Sequence, residues 1–134
     1  MAIEIRSSER VDIVDVTSKV IDTVPDGTDT GMCTVFVPHT TAGVIVNERE
    51  GRLLSDVKDA LERLVPRAEE YGHNVIDDNA DAHLRAMLLG ESATIPIIDG
   101  ELVLGTWQSI LFVDCDGPRT RRLQVTVVAG DSPR

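Results

Sequence analysis

The run Gly31-Met-Cys-Thr-Val-Phe-Val37 is almost continuously apolar and rich in β-branched side chains, the pattern of a central strand buried on both faces. Such a strand needs partners, and the rest of the chain supplies them. Ala2 to Ser8 alternates, with Ile3 and Ile5 on one face and Glu4 and Arg6 on the other, as a half-buried strand does. Ala42-Gly-Val-Ile-Val46 reads as a strand joined to the central one by the polar His39-Thr40-Thr41 segment. Ser92 to Ile98 and Glu101 to Leu104 flank Asp99-Gly100, the strongest short hairpin signal in the chain. Trp107 to Asp114 and Arg121 to Val128 flank Asp116-Gly117-Pro118 in the same manner.

Three segments carry helical spacing instead. Asp15 or Thr17 can cap a short helix with Val16, Val20 and Val24 on one side, ending at the Pro25-Asp26-Gly27 turn. From Arg52, the residues Leu53, Leu54, Val57, Leu61 and Leu64 line an apolar stripe that stops at Val65-Pro66. A polar stretch, Arg67 to Asp78, reads as a loop before Asn79 caps a helix running to Gly90. Strand, helix, two strands, two helices and four closing strands predict an α+β fold, sandwich-like, with helices packed on largely antiparallel sheet. At 134 residues the expectation is one domain spanning 1–134.

Composition narrows the function. A formal net charge of −10 opposes nucleic-acid binding, which needs a basic patch to neutralise phosphates. No apolar run reaches the length of a membrane-spanning helix, and Met1 to Glu9 is charged and alternating without a leader's apolar core. The expected location is therefore the cytoplasm, where Cys33 and Cys115, each inside an apolar run, are expected to be buried free thiols.

Against this acidic background a few residues stand out. Pro38-His39-Thr40-Thr41-Ala42-Gly43 offers an imidazole, two hydroxyls and small residues immediately after a strand, the ingredients of an anion site, although the same residues also make ordinary turns. At about 100° per residue, His83 points between Ala80, Ala86 and Met87 and so faces inward, as a ligand or as a core histidine. Asp81 and Arg85 fall together on the polar side at i,i+4 spacing, where an exposed ion pair is expected. Arg119 and Arg121 share one face of an extended segment, with Arg122 on the other; two guanidinium forks suit a phosphate or pyrophosphate, as they equally suit surface pairing with acids. In Gly105-Thr106-Trp107-Gln108, the lone Trp is more often core than ligand platform, while Thr106 and Gln108 can orient a polar substrate. No Walker loop, dinucleotide fingerprint, nucleophile elbow or His-Glu-x-x-His helix is present.

In order along the chain, Cys33-Thr-Val-Phe-Val-Pro-His39-Thr-Thr-Ala-Gly, Asn47-Glu48, His73, Asn79-Ala-Asp-Ala-His83, Gly105-Thr-Trp-Gln108 and Asp116-Gly-Pro-Arg119-Thr-Arg121 resemble the motif set of the YjbQ-like family, the secondary thiamine-phosphate synthase proteins. The resemblance covers nearly the whole chain. It departs at Glu48-Arg49-Glu50-Gly51, which lacks an Asp-Pro pair, and at Asn74 to Asp78, which is more acidic. The resemblance implies a homotrimer and an enzyme joining a pyrimidine methyl pyrophosphate to a thiazole phosphate. It assigns His39, His83 and Asp81 to catalysis, and Thr40, Thr41, Arg119 and Arg121 to phosphate. Asn47, Glu48, Asn79 and Gln108 would orient the site, and His39, His73 and His83 would hold a divalent metal, Mg²⁺ or Zn²⁺. The alternatives are a non-catalytic metal- or anion-binding oligomer and a metal-dependent phosphohydrolase.

Overall fold

The computed structural model describes residues 1–131. Two antiparallel sheets lie face to face. The larger contains β1 (Ala2–Arg6), β3 (Gly31–Phe36), β5 (Ser92–Ile98), β6 (Glu101–Leu102) and β8 (Thr120–Ala129), in the order β1-β8-β3-β5-β6. The smaller contains β2 (Asp12–Asp15), β4 (Ala42–Asn47) and β7 (Ser109–Asp114), in the order β2-β7-β4. Between them Ile5, Cys33, Val35, Ile97, Leu123 and Val125 of the large sheet meet Val44, Ile110 and Phe112 of the small one, the inner rows of a sandwich. Helices α1 (Thr17–Ile21), α2 (Gly51–Leu64) and α3 (Ala80–Leu89) complete the α+β fold. Leu61 of α2 and Ala82 of α3 pack with Val113 and Cys115 over the small sheet's other side. Helices, small sheet and large sheet therefore form three layers.

Strand alternation explains which residues face in. β3 sits centrally between β8 and β5, as its composition requires, but it is covered on one face only: Cys33 and Val35 are buried while Met32 and Phe36 are exposed. The strand buried on both faces is β7, whose Ile110 to Asp114 are all within 1% of complete burial, because it lies between the other sheet and the helices. Asp99-Gly100 makes the expected hairpin, with positive φ at both residues (53° and 79°) and Ile98 opposite Glu101.

Several expectations are corrected. β7 and β8 do not pair across Asp116-Gly117-Pro118; that turn carries the chain from the small sheet to the large one. Likewise His39-Thr40-Thr41 crosses between sheets instead of joining strand neighbours. The strand Asp12–Asp15 was hidden by flanking acids, and β7 begins at Ser109, after a turn at Thr106-Trp107. Trp107 is 73% exposed and no part of the core. The segment 67–78 holds one 3-10 turn, Gly72–Val75. Both thiols are buried and free, and burial pushes Cys115 up to about 12, which keeps it protonated and inert.

Helix caps follow local chemistry. Glu50 caps α2 by accepting from the Leu53 N–H at 2.7 Å, and Asp15 Oδ1 accepts from the Thr17 N–H and hydroxyl at the start of α1. The α3 helix is the surprise. Asp81 and Arg85, expected outside, are 1% and 2% exposed, whereas Met87 and Leu88 are 75% and 63% exposed. Arg10 from the β1–β2 connection reaches Asp81 through two bonds of 2.8 and 3.0 Å, and Arg85 donates to the Val65 carbonyl and to Glu62. Tertiary partners on two other segments thus overrule the helix's own apolar arc. Gly43 lets α3 approach β4, since a Cβ there would stand 2.7 Å from the Gly90 carbonyl oxygen and 2.8 Å from Leu89 Cβ.

One ion pair fastens the layers. Asp114, at the end of β7 in the small sheet, accepts from Arg121 of β8 in the large sheet at 2.8 and 3.0 Å. The two are 0% and 4% exposed. Ser7 adds a hydroxyl bond to Asp114 at 2.7 Å, and Arg121 also donates to Thr41 Oγ1 at 2.7 Å. Removing one partner strands a buried charge, so Arg121→Met is expected to lower unfolding free energy by about 3–5 kcal/mol, with Arg121→Met/Asp114→Leu recovering much of it. Urea denaturation of the two variants beside the parent checks this.

Candidate functional site

The same end of the β4–β7 pair that carries Asp114 opens into a cleft of about 730 Å³, a size suited to a small organic ligand. Its walls include all three histidines, His39, His73 and His83, with Thr40, Thr41, Asn79, Arg119 and Arg121. Four separate parts of the chain converge there: the crossover after β3, the 3-10 turn, the first turns of α3 and the turn into β8. The resemblance named these residues from scattered positions, and the fold brings them together.

His39 is held by the start of β8, where its Nε2 accepts the Arg122 backbone N–H at 2.9 Å. The proton of the neutral ring then resides on Nδ1, which becomes a donor. Burial lowers the His39 pKa, and the Arg121 guanidinium lowers it further. His39 is therefore suited to donate a hydrogen bond as a neutral imidazole and ill suited to carry a positive charge. His73 and His83 meet edge to face, their centroids 4.7 Å apart.

The arginines divide their work. Arg121 is committed to Asp114 and Thr41 through Nε and Nη2, and Arg119 is braced by the Asp116 carbonyl through Nε and its carboxylate through Nη2. Each keeps its Nη1 without a protein hydrogen bond among the described residues. At Asp114, burial pushes the carboxyl up, but hydrogen bonds from Arg121, Ser7 and the Asp116 N–H outweigh it and hold it below the usual range. Asp116 Oδ2 in turn accepts from Asn79 Nδ2 at 2.9 Å. With its amide nitrogen so fixed, Asn79 Oδ1 is buried and has no partner among the described residues. Asn79 does not cap α3 with its side chain; Asn74 Oδ1 accepts from the Ala80 N–H instead.

Other expected residues are elsewhere. Asp81 is absent from the cleft wall, locked between Arg10 and Arg85, and its part is to seat α3 and not to touch a ligand. Asn47 turns its oxygen to the Glu48 N–H, and Gln108 Oε1 closes its own turn onto the Gly105 N–H. Glu48 lies in a separate cleft with Thr106 and Trp107. Among the described residues no three His, Cys, Asp or Glu side chains stand close enough to share a metal ion. His39, His73 and His83 of one chain line the same cleft without being drawn into one such group. Sequence reasoning missed Asp114 and Asp116, which organise both arginines; a lone acid closing the apolar run Ile110-Leu-Phe-Val113 was the available signal.

A family model described as UPF0047 protein YjbQ-like matches residues 1–130. The UPF0047 protein of Methanothermobacter thermautotrophicus is 51% identical over 124 residues, covering 92% of this chain and 87% of that relative. That of Archaeoglobus fulgidus is 46% identical over 125 residues, covering 93% and 98%. Among solved structures, the hypothetical protein APE1520 from Aeropyrum pernix K1 superposes with a TM-score of 0.94 at 40% identity, covering 97% of this chain and 98% of its own. A YbjQ-like protein of unknown function from Sulfolobus solfataricus also gives 0.94, at 36% identity, covering 97% and 96%.

The lowered His39 pKa has a defined pH signature. As pH falls below the ordinary value of 6.5, the unfolded chain takes up the His39 proton before the folded one does. Stability from this group is complete above pH 6.5 and declines toward the lower folded pKa. Melting curves stepped downward from neutral pH should show a shallower decline for His39→Gln than for the parent, and parallel curves would refute the assignment.

Proposed function

Because the chain belongs to the YjbQ-like UPF0047 family, we propose that the histidine cleft binds a phosphorylated small molecule and acts as a thiamine-phosphate synthase-like transferase, as a secondary activity. The observation that carries this reading is the convergence of two arginines, a threonine hydroxyl and three imidazoles on one cleft in a chain of net charge −10. In the reaction, the bond between the pyrimidine methylene carbon and the pyrophosphate oxygen breaks, and both electrons leave with pyrophosphate. The thiazole ring nitrogen supplies the electron pair of the new carbon–nitrogen bond.

Each cleft residue has a task in that scheme. Arg119 and Arg121 direct their remaining Nη1 donors at phosphate oxygens, with Thr40 and the His39 Nδ1–H completing the grip. His83, backed by His73, donates a proton to the departing pyrophosphate. The unpaired Asn79 Oδ1 is an acceptor suited to the amino group of an aminopyrimidine, and a buried acceptor gains most from such a donor. No step is routed through a metal. Assembly as a homotrimer belongs to the same reading, supported by the exposed Ile76 of the cleft wall and Met87 of the groove beside it, at 84% and 75%.

The test is formation of thiamine phosphate from the two precursors by the purified chain, with and without Mg²⁺ or Zn²⁺. His83→Ala is expected to lower kcat by about 10²-fold or more, and Arg119→Ala to weaken pyrophosphate binding in calorimetry by about tenfold. Pyrophosphate binding without turnover would replace transfer by a non-catalytic anion-binding role. Zn²⁺-dependent release of phosphate without joining would establish a metal-dependent phosphohydrolase instead.

A further inference from the structure

A carboxylate in the wall of a phosphate cleft repels the ligand unless it serves some other purpose. Asp116 is such a group, lining the histidine cleft beside Arg119 and Arg121. Its N–H donates to Asp114 Oδ1 at 2.9 Å, and its carbonyl accepts from Arg119 Nε at 2.8 Å, so the backbone is fixed on both sides. The turn cannot retreat either: the Gly117 N–H donates to the Arg10 carbonyl at 2.9 Å, and a Cβ at Gly117 would collide with the Glu9 carbonyl oxygen. Two donors then meet one side-chain oxygen. Asp116 Oδ2 accepts from Arg119 Nη2 at 3.1 Å and from Asn79 Nδ2 at 2.9 Å. Arg119 keeps a brace on the Asp116 carbonyl whatever the side chain is, whereas Asn79 is held by the carboxylate alone.

The two ends of an Asn amide have nearly the same shape, and their partners decide which way it faces. A carboxylate paired with a guanidinium has no proton to give, so it can face Nδ2 and not Oδ1. The opposite orientation would set two acceptors against each other. Asn79 Oδ1 is thereby turned away from Asp116, buried and without a partner among the described residues, in a side chain that lines the cleft. Nor does α3 use it, since Asn79 precedes the helix without a side-chain capping bond. Such an acceptor lacks a bond that a donor on a ligand can make.

We infer that Asp116 is a positioning residue that sets the cleft's specificity through Asn79. By holding Nδ2 it leaves Oδ1 as the group that reads the ligand, so the cleft selects phosphorylated molecules that carry a hydrogen-bond donor, such as a ring amino group, over those that lack one. The inference rests on the reading of the cleft as a phosphate site and deepens it by assigning the choice of substrate. Because one oxygen both orients the amide and braces Arg119, phosphate and donor are read from a single rigid turn.

Calorimetry with three probes tests this: inorganic pyrophosphate, the aminopyrimidine methyl pyrophosphate, and its analogue with hydrogen in place of the amino group. The parent is expected to bind the amino compound about tenfold more tightly than the analogue. In Asp116→Asn the carboxamide can donate to Asn79 Oδ1 or accept from Nδ2, so the amide is free to turn and the preference should fall to about twofold or less. Asn79→Ala removes the acceptor and should abolish the preference as well. Added to Asn79→Ala, Asp116→Asn should change the ratio no further, a result that a merely structural effect of Asp116 would not produce. Far-UV circular dichroism checks that each variant is folded; should Asp116→Asn not fold, Asp116→Ser takes its place, because a hydroxyl also both donates and accepts. Equal binding of the two pyrimidines by the parent, or a preference that survives either substitution, would overturn the inference, while retained pyrophosphate binding leaves the phosphate reading standing. A parent that binds no pyrophosphate would overturn that reading and the inference with it.

Discussion

The Asp114–Arg121 pair is the interaction on which the remaining architecture depends. It joins the last residue of the small sheet's central strand to the second residue of the large sheet's longest strand, and it draws in Ser7 and Thr41. Such a buried pair offsets its desolvation only when the remaining polar groups are also satisfied, which the serine hydroxyl and the Asp116 N–H accomplish. The price is repaid in position. Holding β7 against β8 fixes the turn between them, and that turn aims Arg119 at the cleft through Asp116.

A second charge cluster, built around the buried Asp81 and Arg85, seats the helix that supplies His83. Arg10, Asp81, Arg85 and Glu62 tie α3 to the β1–β2 connection and to α2. Because these charges occupy the buried face, Met87 and Leu88 are turned to solvent. Helix orientation is thus set by ionic partners, and the apolar residues displaced outward form a surface suited to another protein chain. Structural charges and site charges are interleaved: Arg121 and Asp116 each serve the fold with some atoms and the cleft with others.

Much of this was legible in the residues. Alternation located β1, turn signals bounded β5 and β8, and the helix read from Arg52 to Val65-Pro66 runs from Gly51 to Leu64. Local rules succeeded where the determining contacts are local. They failed for Asp81 and Arg85, whose partners lie on other segments, for Trp107, whose turn is locked by its neighbours' amides, and for β7 and β8, which a tight turn separates rather than pairs.

By itself, the sequence determined the kinds of element, their order, and which side chains could do chemistry, because side-chain period and turn preference act over a few residues. Tertiary structure alone decided which of those side chains meet. It gathered His39, His73, His83, Arg119 and Arg121 around one cleft, sent Glu48 and Trp107 to the far end of the same strands, and buried Asp81. The reason is geometric: strand pairing and layer packing join residues more than 100 positions apart, as Ser7 with Asp114 (107 apart) and Arg119 (112 apart), and no local pattern encodes that distance.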